Sequence, residues 1–206
     1  MSQAEIVRRR LITMARRRQR PGTGSALRFV RQRTVNVEWP DVRRVMGDIG
    51  CAVVGAVATR LYMPERTTFD LDLAIASADA KAARRAVRSA GWTHEGDLTI
   101  GGSSWLTLDG VSVDLIEGSE EWWPGAIAEA QLNLDLQGLP ILPLRYLALM
   151  KFRSGRTQDV ADVTRMLGQA DPVQLEAIRA LFKSEEPGGL EDLESLIELG
   201  QLEMRR

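Results

Sequence analysis

The chain has 206 residues, with 27 Lys+Arg against 28 Asp+Glu and one histidine, and a formal net charge of −1. At 44% hydrophobic and 27% charged it has the composition of an ordinary soluble protein whose length suits one core domain with appendages, and no apolar run approaches the ~20 residues that a membrane helix needs. One cysteine, Cys51, and one histidine, His94, exclude an intrachain disulfide and a zinc site of the Cys/His type, so any metal must be held by carboxylates.

The charge is segregated. Residues 1–44 carry twelve arginines against Glu5, Glu38 and Asp41, a net of +9, which leaves −10 on the remainder. Residues 3–20 have the pattern of an amphipathic helix, with Ile6, Val7, Leu11, Ile12 and Met14 among the arginines, and the Pro21-to-Ser25 run breaks it. This stretch reads either as a basic arm on a hinge or as a helix that packs its few apolar residues on the body. It lacks the apolar segment of a secretory signal, and a cytoplasmic location is expected.

From Trp39-Pro40 the spacing of Val42, Val45, Met46 and Ile49 predicts a helix to about Asp48. Cys51 to Val54 reads as a short buried strand, Gly55 as a turn, and Ala56 to Tyr62 as a helix. In Phe69 to Ala76, strict alternation puts Phe69, Leu71, Leu73 and Ile75 on one strand face and Asp70, Asp72, Ala74 and Ala76 on the other. A helix is expected from Asp79 to Ala90, ended by Gly91. Strands follow at Trp92–Ile100, Ser103–Leu108 and Val111–Glu117, the last two joined by the hairpin signal Asp109-Gly110. After Pro140 and Pro143 the pattern is helical: Leu144–Arg153, Gln158–Leu167, a helix capped by Asp171, Pro172 and Gln174, and Leu190–Leu199. The expectation is a mixed α/β (α+β) core at 39–140 between a basic segment at 1–38 and a helical domain at 141–206.

Asp70 and Asp72, about 6–7 Å apart along one strand face, can converge on one cation. Asp114 repeats the arrangement in the Val111-Ser112-Val113-Asp114-Leu115 strand. If the two strands are neighbours, three carboxylates share a face, an arrangement that persists with a divalent ion or as a solvated surface. The hard, oxygen-bound ion that also holds triphosphates is Mg²⁺. Upstream, a glycine at a strand-to-helix turn lets backbone N–H groups approach a phosphate, and Arg60, Arg66, Thr67 and Thr68 precede the aspartates.

The run Val54-Gly55-Ala56-Val57-Ala58-Thr59-Arg60-Leu61-Tyr62, followed by Arg66-Thr67-Thr68-Phe69-Asp70-Leu71-Asp72-Leu73, resembles the nucleotidyltransferase superfamily of the DNA polymerase beta type. More narrowly it is similar to the AbiEii-like toxin and minimal nucleotidyltransferases. Leu144 to Lys151 and Arg156 to Val163 resemble that group's lysine helix and the Asp-x-x-Asp helix after it. The resemblance implies a nucleotidyltransferase fold and transfer of a nucleoside monophosphate from an NTP to a hydroxyl on an RNA end such as tRNA, a protein or a small molecule, with a toxin–antitoxin role and an antitoxin partner. It further implies two Mg²⁺ ions held by Asp70, Asp72 and Asp114, a nucleotide site at Gly55, Ala56, Arg66, Thr67 and Lys151, and Asp159 and Asp162 orienting that lysine or meeting the acceptor. Ala56 departs from the family's Gly or Ser, so a hydroxyl contact to phosphate is lost. The alternative is a catalytically silent relative that binds RNA or protein.

By default Lys151 is a solvated helix charge, Asp162 and Arg165 form an i,i+3 pair, and His94 is a surface residue. Trp122-Trp123-Pro124 is a lid packed on the core or a base-stacking platform, and Gly101 to Ser104 is a hairpin connection.

Overall fold

The computed structural model describes residues 2–23, 38–64 and 68–205. The candidates Arg66 and Thr67 and part of the break at 21–25 lie outside them. In chain order the helices and strands are α1 (Gln3–Arg18), α2 (Val42–Met46), β1 (Cys51–Val53), α3 (Gly55–Thr59), β2 (Asp70–Ala76), α4 (Ala80–Ser89), β3 (Thr93–Asp97), β4 (Gly102–Leu106), β5 (Ser112–Gly118), α5 (Trp123–Ala130), α6 (Leu144–Ser154), α7 (Thr157–Gln169), α8 (Pro172–Glu185) and α9 (Leu190–Met204). Among the described residues no helix is long and apolar enough to cross a membrane. The chain divides into two compact units, one holding residues 38–61 and 68–143, the other 2–23, 62–64 and 144–205.

The first unit is a five-stranded sheet in the order β1-β2-β5-β4-β3, with β2 and β5 parallel and the other pairs antiparallel. Alternation along β2 and β5 sends Leu71, Leu73, Ile75, Val113 and Leu115 to one face, where all are fully buried. There they meet Trp105 of β4, and the amphipathic helix α4 contributes Ala83 and Val87 to the core. The opposite face is apolar beyond the aspartates, with Ala52 and Ala74 fully buried, and at its far end the small pair Ala76 and Gly118 makes room for Trp123. The Trp123 indole N–H donates to the Ile75 carbonyl at 2.9 Å, so this tryptophan is a packed lid. The segment after α5 closes the edge of β1: Val53 N–H donates to the Pro140 carbonyl at 2.6 Å, and Leu142 N–H to the Val53 carbonyl at 3.0 Å.

Two expectations change here. Phe69 stands before β2 begins and is 84% exposed, so it does not extend the apolar face. α2 starts at Val42, because the Asp41 side chain caps it by accepting from Arg44 N–H at 3.2 Å and leaves Pro40 outside the helix.

The second unit packs α1 and α6 to α9. Asp171 and Gln174 cap α8 reciprocally, at 2.8 and 3.0 Å. α7 and α9 approach backbone to backbone at Gly168 and Gly200. A Cβ on Gly200 would stand 2.1 Å from the Thr164 carbonyl oxygen and 2.7 Å from Gly168 N, atoms that cannot yield without moving a helix. α1 docks by Ile12, 6% exposed, and by Arg8, whose guanidinium donates to Asp192 at 3.0 Å and to the Phe152 carbonyl at 3.1 Å. Gly200→Ala is therefore expected to destabilise the protein by about 1–3 kcal/mol through overpacking, read as a lower urea midpoint. Glu198→Ala, on the exposed side of the same helix, is expected to stay within about 0.5 kcal/mol of the wild type.

Candidate active site

β2 and β5 carry their aspartates in their first three residues, and the parallel register pairs Asp72 with Asp114 and Asp70 with Ser112. Residues paired this way in neighbouring strands share a face, and the strands lie about 4.8 Å apart, so Asp72 and Asp114 project side by side. Both are half-buried, while Asp70 is exposed and accepts from the Thr68 hydroxyl. Ser104 of β4 stands opposite Asp114 and adds a hydroxyl-bearing side chain to the same row.

The turn after β1 is anchored on this row. Val54 N–H donates to the Asp72 carbonyl at 2.9 Å, and Gly55 follows at φ 64°, a left-handed conformation that side chains rarely adopt. A Cβ there would lie 1.7 Å from an Asp72 carboxylate oxygen, so glycine is needed for both its dihedral and its lack of bulk. Ala56 is buried in the first turn of α3, and its carbonyl accepts from the Thr59 hydroxyl at 2.7 Å. Arg60 ion-pairs with Asp135 and meets Gln137 at 3.1 Å, tying α3 to the segment that closes the β1 edge.

These oxygens suit a hard divalent cation by chemistry. Asp114 has no side-chain hydrogen bond or ion pair among the described residues, which leaves its lone pairs for a ligand. Among the described residues, however, no three His, Cys, Asp or Glu side chains stand close enough to hold one ion. The Asp72 and Asp114 pair is therefore the part of the site that the backbone assembles, and Asp70 is turned to Thr68.

Lys151, Asp159 and Asp162 form a second cluster, in the helical unit. Lys151 is 5% exposed and donates to Asp159 at 2.8 Å and to Asp162 at 2.9 Å. It is not a solvated charge. Asp162 is fully buried and also accepts from Gln158 at 3.0 Å, while Arg165 turns to Glu203 at 3.6 Å, so the expected Asp162 and Arg165 pair does not form. Asp159 also accepts from Ser154 at 2.5 Å and Arg156 at 2.8 Å. Burial pushes its carboxyl up, but the hydrogen bonds from Lys151 and Ser154 and the charges of Lys151 and Arg156 outweigh this and hold it below the ordinary 3.8.

No family model matches the chain, and no curated protein matches it. Among solved structures it is similar to the solution structure of the antibiotic-resistance factor ANT(2'')-Ia, with a TM-score of 0.51 and 15% identity over 71% of this chain and 91% of that one. Two others are more distant: a crystal structure of ANT(2'')-Ia with adenylyl-2''-tobramycin (TM-score 0.40, 14% identity, 76% of this chain and 94% of that one) and terminal uridylyl transferase 4 from Trypanosoma brucei with bound GTP (0.29, 14%, 98% and 70%). At such identities the likeness speaks to fold alone. The mixed sheet with a helical C-terminal region is a nucleotidyltransferase-like fold.

Replacing Lys151 by Met removes the cation shared by two buried carboxylates, leaving Asp159 with Arg156, and is expected to cost about 3–5 kcal/mol in urea denaturation at neutral pH. The depressed Asp159 carboxyl stabilises the fold above its ordinary value of 3.8, and that contribution is lost as the pH falls through the lower folded value. Wild-type stability measured down the acid range is expected to fall there more steeply than that of Asp159→Asn.

Proposed function

We propose that this chain transfers a nucleoside monophosphate from a nucleoside triphosphate to a hydroxyl acceptor. The observation that carries the reading is the register of Asp72 with Asp114 beside a left-handed Gly55. The nucleotidyltransferase-like fold supports it.

In this reading backbone N–H groups of the turn at Gly55 and Ala56 receive the triphosphate. Asp72 and Asp114 would hold Mg²⁺, and Asp70 would join them on turning from Thr68. When bound, the ions lower the pKa of the attacking hydroxyl and neutralise charge on the triphosphate. The acceptor oxygen forms a bond to the α-phosphorus as the bond to the β-phosphate bridging oxygen breaks, pyrophosphate leaves, and the hydroxyl proton passes to Asp114. Asp159 and Asp162 accept from Lys151 at 2.8 and 2.9 Å, which supports reading them as the residues that orient that lysine.

The protein is to be incubated with Mg²⁺ and each labelled NTP in the presence of total tRNA and a cell extract. Asp72→Asn and Asp114→Asn are each expected to lower label transfer by roughly 10³-fold, by analogy with removing one charge-stabilising group from an active site, and chelation with EDTA to abolish it. Label transfer unchanged by both substitutions, or no labelled product with any NTP, overturns the reaction.

A further inference from the structure

From the arginines of α1 that have no acidic partner among the described residues, and the cavity they border, we infer that this helix is a binding surface for RNA. Residues 2–23 carry seven arginines against one acidic residue, Glu5. Three of the arginines are spent within the fold: Arg8 and Arg9 on Asp192, with Arg9 also on Glu5, and Arg16 on Glu198. Arg10, Arg17, Arg18 and Arg20 are exposed, and none has an acidic partner among the described residues. Arg10 and Arg17, seven residues apart, lie on one stripe about 10 Å long with Met14, 51% exposed, between them. The helix dipole favours cations in the last turn and accounts for Arg16 to Arg18. Arg10 and Arg20 lie outside that turn.

Four cations without counter-charges match a polyanion. An anionic membrane is disfavoured because the apolar side of α1, around Ile12, is packed into the fold, leaving no apolar face to enter lipid. The arginines lead to a cavity of about 560 Å³ bordered by Arg18 and Arg20, by the Arg165 and Glu203 pair and by Thr157, with apolar walls such as Val160 and Leu196. A carboxylate accepts but cannot donate, so Glu203, met by Arg165 at 3.6 Å, suits a ribose 2′-hydroxyl or a base amino group rather than a phosphate. The 2′-hydroxyl is what separates RNA from DNA.

The test uses the full chain without NTP or metal, so it stands apart from the transfer reaction. Fluorescence anisotropy follows a labelled single-stranded RNA, with the DNA of the same sequence and anionic phospholipid vesicles as competitors. Four phosphate contacts give a salt slope of about −2.8, so a fourfold rise in salt weakens RNA binding about 50-fold. Arg10→Gln/Arg17→Gln/Arg18→Gln/Arg20→Gln is expected to flatten the slope with an unchanged circular dichroism spectrum, and the four-lysine variant to restore it. Absent RNA binding, a quadruple variant that binds like wild type, equal affinity for the DNA, or vesicles that displace the RNA would each overturn the inference.

Discussion

The parallel pairing of β2 with β5 is the constraint on which the rest of the sheet unit depends. β2 alternates acidic or small residues with large aliphatic ones throughout and β5 does so from Ser112 to Leu115, and the pairing aligns Leu71 with Val113, Asp72 with Asp114 and Leu73 with Leu115. A slip of one residue would set Asp114 beside Leu71 or Leu73 and drive a carboxylate into a fully buried layer. Burying an uncompensated charge there costs far more than any sheet hydrogen bond returns. The apolar pattern thus selects the register, and the register brings the carboxylates together as a by-product of core formation. The same strands place Ala76 and Gly118 under Trp123, so one alternation produces both a closed end and an open acidic end.

The helical unit solves a different problem. Its interior contains Lys151 between Asp159 and Asp162, and Arg8 against Asp192, all with little exposure. Each charge has hydrogen-bonded partners, which makes burial tolerable. The directional pairs add geometric selectivity to aliphatic packing that tolerates several arrangements. The Gly168 and Gly200 contact acts in the same direction, since only one axial alignment of α7 and α9 brings two residues without side chains face to face.

Local chemistry made much of this legible from sequence. The alternation around Asp70, Asp72 and Asp114, the Asp171 cap and the Asp109-Gly110 turn all depend on neighbours a few residues away. What escaped depends on distant partners. Phe69 continues the alternation in sequence, but the strand starts one residue later. Read by itself Lys151 has the pattern of a surface lysine, and only the family resemblance pointed to the two aspartates that α7 supplies. Ser104 joins the acidic row only because β4 lies beside β5, and a serine pair in a glycine-rich hairpin carries no signal of that. Gly55 was visible as a turn, but the carboxylate pressed against its α-carbon was not.

The contact between Arg8 and Asp192 joins positions 184 residues apart. Whatever precedes or follows them, α1 leaves the ribosome well before α9 does. Until α9 arrives, Ile12 has no complete apolar seat and the Arg8 guanidinium no carboxylate. A basic helix held waiting in this way during synthesis is open to nearby anionic surfaces, the ribosome's own included. Long-range closure of this kind is slow compared with helix formation. The order of synthesis therefore makes the docking of α1 one of the last steps by which the helical unit closes.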